Sequence, residues 1–481
     1  MNKAKYDGVE HPVRQVTDLK DIIVSSCSMF KDDTAFLEKD KPGGTFQPIS
    51  YAKVKDDVDA LGTKLMDMGL KGSKIAVVGE TSYHWFLTYF ATVCGVGVIV
   101  PLDKNLPQDE LKSLIERSHA KAIVFSKRME KTIKPLYDEP GEIEYFISMS
   151  ESENEKVLSL EHLIEEGNKL LGEGVRDFVD AEINPEDMAS LLFTSGTTGK
   201  SKGVMLSHKN IASNVVNVSK RVTLDKGCVV LSILPVHHTY ENTIDWVTIY
   251  QGRTIAVCEG IKYILKNMNE VKANCMVGVP LVFEKIFKGL MKQAESRGEG
   301  EKVRNAIALS RRLKLYNNRS LIRKLFKPVH QAFGGGMQLF IAGGAAMDPE
   351  ITESFEAMGI PMIQGYGMTE YAPIIAVNQD NYSIARSVGR PMPEAKVRID
   401  NADENGIGEI VVKGPSVMLG YYEDQDATDE VIEDGWLHTG DLGYLDSNDF
   451  LYLTGRKKTV IVTKGGKNIF PEELESVLKE N

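Results

Sequence analysis

Cysteine, tryptophan and long apolar runs are scarce in this chain of 481 residues. The five cysteines, Cys27, Cys94, Cys228, Cys258 and Cys275, are odd in number and far apart, and no CxxC pair exists to clamp a metal or form a redox couple. A reducing compartment fits that usage. The longest apolar run, Phe90 to Leu102, falls well short of the ~18 residues that argue for a membrane span, and the start MNKAKYDGVEHPVRQ has no apolar signal core. The expected location is cytoplasmic. A basic excess is missing as well: 57 Lys and Arg against 68 Asp and Glu leave a net charge of −11, so the chain as a whole does not read as a nucleic-acid binder. Internal repeats and low-complexity tracts are also lacking.

A hydrophobic content of 42% with 26% charged residues can bury a core, and the length allows about three compact units. Short β-rich runs, KIAVVGE (Lys74 to Glu80), KAIVFS (Lys121 to Ser126), EYFISM (Glu144 to Met149) and CVVLSILP (Cys228 to Pro235), alternate with amphipathic stretches. That alternation predicts an α/β fold with parallel sheets covered on both faces. From about Ser387, brief strands separated by Gly, Asn and Asp (KVRID, GEIVVK, GWLHTG, FLYLTG) predict a β-rich, barrel-like subdomain. Near the end, Pro471 opens a helical pattern, PEELESVLKE, after a strand pair at Thr459 to Val462. These elements cannot bury an apolar face alone, so they read as the start of a further, incomplete domain. The expected division is 1–386 for the N-terminal α/β subdomains, 387–457 for the β-rich subdomain and 458–481 for the start of the last domain.

The segment Leu191 to Asn210, LLFTSGTTGKSKGVMLSHKN, carries the strongest chemical signal. An apolar strand runs into Thr194, Ser195, Gly196, Thr197, Thr198 and Gly199, followed by Lys200 and Lys202. Glycines let backbone approach a polyphosphate, and hydroxyls and ammonium groups supply donors to its oxygens. A Walker loop would need glycine where Thr194 stands, so the P-loop reading fails. The plainer alternative is a flexible Gly/Ser/Thr surface turn.

This loop resembles the signature of the adenylate-forming superfamily of acyl-CoA synthetases, adenylation domains and luciferases. LPVHHTYE (Leu234 to Glu241), QGYGMTE (Gln364 to Glu370), HTGDLGYLD (His438 to Asp446) and GRKKTVIVTKGGKNIFPEELE (Gly455 to Glu475) also resemble its motifs, in family order. In the second of these, Gln364, Gly365 and Gly367 surround Tyr366, so an aromatic face can stack on adenine. Thr369 then offers a hydroxyl to phosphate and Glu370 a carboxylate to Mg²⁺. Upstream, Gly343, Gly344 and Ala345 end a strand with small residues against which a purine can lie.

The resemblance implies further roles. Asp441 would accept from the ribose hydroxyls, with Arg456 donating to the same sugar, and His238 would lie near the acyl carboxylate and α-phosphate, with His237 a close competitor for that assignment. Lys202, His238, Thr369 and Glu370 form the expected catalytic set, Glu370 and Thr194 the metal ligands, Lys458 the hinge of an α+β lid, and Gly465 and Gly466 part of the thiol channel. The implied cofactors are ATP, Mg²⁺ and CoA. The implied reaction is activation of a carboxylic acid to its acyl adenylate, then transfer to CoA with release of AMP.

VGVPLVFEKIF (Val277 to Phe287) and the stretch after it resemble long-chain fatty acid CoA ligases, although Leu281 replaces an arginine common after the proline. The hinge motif keeps Arg456 and Lys458 but has Gly455 and Thr459 where acids are usual. The expected substrate is a medium-to-long-chain fatty acid. The competing readings are loading of a carrier-protein phosphopantetheine and a non-catalytic ATP-binding protein derived from the fold. Lys302 to Val329 holds nine basic and no acidic residues among leucines. It reads either as a solvated helical face or as a patch for anionic membrane, CoA phosphates or an acidic carrier protein.

Overall fold

The computed structural model of the protein describes residues 10–194, 201–457, 461–462 and 468–469. The α/β architecture expected from strand–helix alternation is observed, together with an antiparallel, half-barrel-like sheet. A nine-stranded sheet carries the strands Val229–Ser232, Cys275–Gly278, Leu339–Ala342 and Met362–Gly367 in parallel at its centre. Every residue of Cys275–Gly278 and Leu339–Ala342 is buried, as a strand covered on both faces requires. A helix at Pro280–Ser296 opens with proline at a position whose N–H has no helical partner anyway.

An eight-stranded sheet is built around parallel Ser73–Val78, Gly97–Leu102, Ala120–Phe125 and Tyr145–Ser148. Met188–Thr194 joins it in parallel and Lys202–Ser207 folds back antiparallel, leading into a helix at His208–Arg221. Ser207 and Asn210 cap that helix reciprocally, each side chain bonding the other's backbone N–H. The apolar run Phe90 to Leu102 becomes the end of a helix, a five-residue wide turn at Thr92–Val96 and the strand Gly97–Leu102. Phe90 meets Trp246 at 4.9 Å between ring centroids, so this run is protein core. Among the described residues, no helix is long and apolar enough to cross a membrane.

Lys396–Asp400, Gly408–Lys413, Ile432–Glu433, Trp436–Leu445 and Leu451–Arg456 form the antiparallel sheet. Two segments near it pair elsewhere: Arg390–Pro391 with Ile374–Val377 of the nine-stranded sheet, and Gly420–Tyr421 with Lys202–Ser207 of the eight-stranded one. The second pairing ties all this β-rich region to the loop-bearing hairpin. Ile461–Val462 and Asn468–Ile469 form a separate antiparallel pair. Ser195, Gly196, Thr197, Thr198, Gly199, Lys458, Gly465, Gly466 and the expected helix from Pro471 lie outside the described residues.

Candidate active site

The hairpin Met188–Thr194/Lys202–Ser207 places Thr194 opposite Lys202, so the two ends of the hydroxyl-rich loop are held side by side. Arg117 secures the exit, donating from Nη2 to the Ser201 carbonyl at 2.8 Å. Lys202 reaches over the Tyr421 ring, 4.7 Å from its centroid. The Tyr421 hydroxyl donates to Glu370 Oε1 at 2.8 Å, and the Glu370 carbonyl accepts from Met418 N at 2.9 Å. One aromatic ring therefore spaces a cation from an anion that would otherwise neutralise each other.

Glu370 sits in a single helical turn, Thr369–Tyr371, directly after Met362–Gly367. Gly367 has no room for a side chain: a Cβ there would lie 2.0 Å from the Pro373 carbonyl oxygen, where the chain doubles back. Thr369 Oγ1 lies 3.4 Å from Thr239 Oγ1, the first residue of the helix Thr239–Tyr250. Thr194, Ser201, His237, His238, Thr239 and Thr369 line one cleft with Leu102 and Asp103. The hairpin, the histidine loop and the Thr-Glu turn thus converge at the carboxyl ends of parallel strands, the usual ligand side of such sheets.

Both histidines are neutral at ordinary pH. Burial, with His238 beside it, lowers His237 to about 4, and burial lowers His238 as well. Their rings are 4.3 Å apart. His238 makes no side-chain cap to its helix, which leaves its ring to the cleft.

Asp441 and Arg456 face each other across the strands Trp436–Leu445 and Leu451–Arg456. Arg456 Nε donates to Asp441 Oδ1 at 3.0 Å, and the Tyr366 hydroxyl donates to Oδ2 at 2.7 Å. Asp441 is 8% exposed. Burial pushes its carboxyl up against the opposing pull of Tyr366 and Arg456. Each carboxylate oxygen can accept a second bond, so capacity for a diol remains. Tyr366, expected as a stacking surface, is 7% exposed, and its hydroxyl is committed to Asp441.

The other small-residue and amide positions have mainly architectural neighbours. Gln364 is buried, accepting from Met347 N and donating to the Ala385 carbonyl. A Cβ on Gly343 would meet the Tyr240 ring at 2.7 Å, so that glycine makes room for a tyrosine of this chain, while Gly344 and Ala345 are exposed. Gly365 lies 3.4 Å, by the same measure, from the Ala376 carbonyl.

Three participants went unassigned in the sequence. Tyr421 lies in an unremarkable GYYED stretch and carried no local signal. Glu241 and Asp245, spaced four apart, are buried on the inner face of Thr239–Tyr250. Glu241 accepts from Ile233 N at 3.0 Å, tying down the start of the loop that carries His237 and His238. Its position in LPVHHTYE, three residues after His238, was the available clue.

No set of three His, Cys, Asp or Glu side chains among the described residues could cage a metal. Magnesium is ordinarily held by one or two carboxylates with substrate phosphates and water completing the shell. Glu370 has one oxygen held by Tyr421 and no hydrogen bond to the other among the described residues, so a coordination position is left open on its carboxylate.

A hairpin whose ends Thr194 and Lys202 stand near a Thr-Glu turn, on an α/β body with a half-barrel-like sheet, is the scaffold of adenylate-forming enzymes. The chain belongs to the AMP-binding enzyme family, whose model matches residues 24–422. It is 27% identical to a long-chain-fatty-acid–CoA ligase of Mycobacterium bovis, over 91% of this chain and 74% of that protein. It is 28% identical to the peroxisomal long chain acyl-CoA synthetase 6 of Arabidopsis thaliana, over 98% of this chain and 69% of that protein. Its fold matches the o-succinylbenzoate CoA synthetase of Bacillus subtilis in complex with its acyl-adenylate intermediate, with a TM-score of 0.73 at 21% identity, covering 96% of this chain and 82% of that one.

Proposed function

We propose that this protein is an AMP-forming acid–thiol ligase that activates a medium-to-long-chain fatty acid as its acyl adenylate and passes the acyl group to CoA. The observation that carries this reading is the cleft itself, in which Thr194, His238 and Thr369 meet beside the Lys202–Tyr421–Glu370 row. The similarity to long-chain-fatty-acid–CoA ligases supports the choice of acid.

In the first half-reaction a carboxylate oxygen bonds to the α-phosphorus of ATP and pyrophosphate departs. In the second, a thiolate attacks the acyl carbon and AMP departs. The carboxylate is already nucleophilic, so the protein's task is positioning and stabilising charge on phosphate oxygens. Thr194, Ser195, Thr197, Thr198 and Thr369 would donate to the phosphates, with Gly196 and Gly199 allowing close backbone approach, and Lys202 would supply a cation. Neutral His238 can donate one N–H to the acyl carboxylate without drawing off its nucleophilicity as an imidazolium would. Asp441, pinned by Tyr366 and Arg456, would accept from ribose. Glu370, with Thr194, would hold Mg²⁺, which supplies charge neutralisation at the phosphates.

The test is acid-dependent pyrophosphate release with ATP and Mg²⁺ across fatty acids of graded length, followed by AMP and thioester formation on adding CoA. Release that rises with chain length and thioester formed with CoA support the reading. ADP as the nucleotide product, or thioester formed only with a holo carrier protein, overturns it.

A further inference from the structure

The strand Trp436–Leu445, which carries Asp441, does not run in plain register with its neighbour Gly408–Lys413. Glu409 pairs with Leu442 and Val411 with His438, so Ile410 alone stands opposite Thr439, Gly440 and Asp441. Extra residues on one strand bend it and re-aim a side chain, and they also take ladder partners from the bulged backbone. Gly440 supports the bend with a φ of +69°, a conformation that side chains disfavour. Asp441 is the last residue of this bulge, and on its other edge it pairs with Arg456. The direction of its carboxylate is therefore set by how the bulge is closed.

Two side chains close it. Glu409 Oε1 accepts from Gly440 N at 3.2 Å. Thr439 Oγ1 donates to the Ile410 carbonyl at 2.7 Å and accepts from Asp441 N at 3.1 Å. The Gly440 carbonyl in turn accepts from Lys457 N at 2.9 Å. Glu409 is only 6% exposed, and a carboxylate that deep is retained where it is paired. Its second oxygen, Oε2, accepts from the Lys457 ammonium at 2.7 Å, with His438 Nδ1 at 3.5 Å. The pairing has a second use. Burial most of all, and the Glu409 charge to a lesser degree, push the Asp441 carboxyl up, and Lys457 offsets that charge where it arises. A carboxylate has one oxygen for the amide N–H and one for the ammonium, whereas a glutamine has a single acceptor oxygen.

We propose that Glu409 and Thr439 are positioning residues for nucleotide recognition: they hold the bulge that turns the Asp441 carboxylate toward ribose, and so set the preference for a 2′-hydroxyl without touching the sugar. The inference rests on Asp441 as the ribose acceptor and concerns the residues one step behind it. Tyr366 and Arg456 fix where the two carboxylate oxygens lie. The bulge fixes where the backbone that bears them lies. Glu409 itself is buried with both oxygens occupied, so it acts through Asp441.

Equilibrium binding of ATP and of 2′-deoxy-ATP, measured by calorimetry without acid or CoA, tests this with no turnover. Glu409→Gln leaves either the Gly440 N–H or the Lys457 ammonium without its acceptor, and ATP affinity should fall about three- to tenfold, the scale of one hydrogen bond. The preference for ATP over 2′-deoxy-ATP should shrink by the same factor. A role in stability alone would weaken both nucleotides equally and leave that preference intact, which overturns the proposal. Thr439→Val keeps the shape and removes the hydroxyl; it should shrink the preference about threefold, and it decides if thermal melts show Glu409→Gln to be unfolded. The double variant Glu409→Gln/Asp441→Ala should lose no preference beyond that lost in Asp441→Ala alone, because the one residue acts through the other. A further loss would mean that Glu409 meets the sugar itself, and positioning fails. Asp441→Ala by itself tells the two readings apart. If it keeps the parent's preference, the ribose assignment fails and this inference with it. If it loses the preference while Glu409→Gln and Thr439→Val, both folded, keep it, the ribose assignment stands and this inference alone is overturned.

Discussion

Two buried carboxyl sites in this molecule are built in opposite ways. Asp441, between the antiparallel strands, has Tyr366 on one oxygen and Arg456 on the other. Asp245, on the helix behind the histidine loop, is 2% exposed and neither oxygen has a hydrogen-bond partner among the described residues. Burial pushes the Asp245 carboxyl well up, with Glu241 adding to it, so that site carries a proton. A carboxyl that is to present charge to ribose, as we propose for Asp441, is given donors. One that only fills space behind the loop, without donors, is kept neutral, because an unpaired buried charge costs far more than a buried acid.

The sharpest way to break that contrast is to remove a cation from the ligand side. Lys202→Ala should lower acid-dependent pyrophosphate release by about 10²–10³-fold, as loss of one charge-stabilising donor does elsewhere. Its melting temperature should stay near the parent's, and a stopped-time phosphate assay with a thermal melt reads both. Unchanged turnover would leave Lys202 as packing for Tyr421. Asp441→Ala comes next: loss of charge-assisted bonds to ribose should weaken ATP binding by at least about tenfold. Discrimination against 2′-deoxy-ATP should shrink with it, measured by calorimetry on the two nucleotides.

Tyr366→Phe sharpens the comparison by removing one of the two donors to Asp441. A buried carboxylate oxygen left without its partner should cost about 1–3 kcal/mol of stability, read from urea unfolding. The smallest effect is expected on the other side. Asp245→Asn replaces an already neutral group, so stability at neutral pH should hold or rise. The pH dependence is the informative part. Burial raises Glu241 from 4.5 to about 7, so this pair holds its proton longer in the folded than in the unfolded chain. Its contribution is full below the unfolded value and is lost as pH climbs from 4.5 to about 7. The double variant Glu241→Gln/Asp245→Asn should flatten that decline in thermal melts across this window. A decline of undiminished slope would mean that other groups carry it.

Much of the site was legible because its motifs are local. Thr194 and Lys202 flank one loop, and Tyr366, Thr369 and Glu370 fall within a few residues of each other, so spacing alone suggests that they act together. The strands Ser73–Val78, Ala120–Phe125 and Leu339–Ala342 were legible as continuous apolar runs, the mark of parallel strands buried on both faces. Tyr421 was not legible, because its partners lie more than fifty residues away and its own segment has no periodic signal. Gly343 was misleading for a related reason: a small residue signals a close approach without saying by what, and here the approaching group is Tyr240.

Sequence alone determined the alternation of strand and helix, the loop chemistry at Thr194 to Lys202, and the membership of Thr369 and Glu370 in one turn. These follow from periodicity and from side chains within a few residues, where covalent geometry limits the outcomes. Tertiary structure decided which oxygen of Asp441 meets Tyr366 and which meets Arg456, that Tyr421 stands between Lys202 and Glu370, and that Asp245 is buried while the leucines of Gly300–Leu313 are not. Those outcomes depend on how layers stack and registers align across long stretches of chain. A residue's charge state or exposure is a property of the neighbours that stacking brings to it, and no local pattern encodes them.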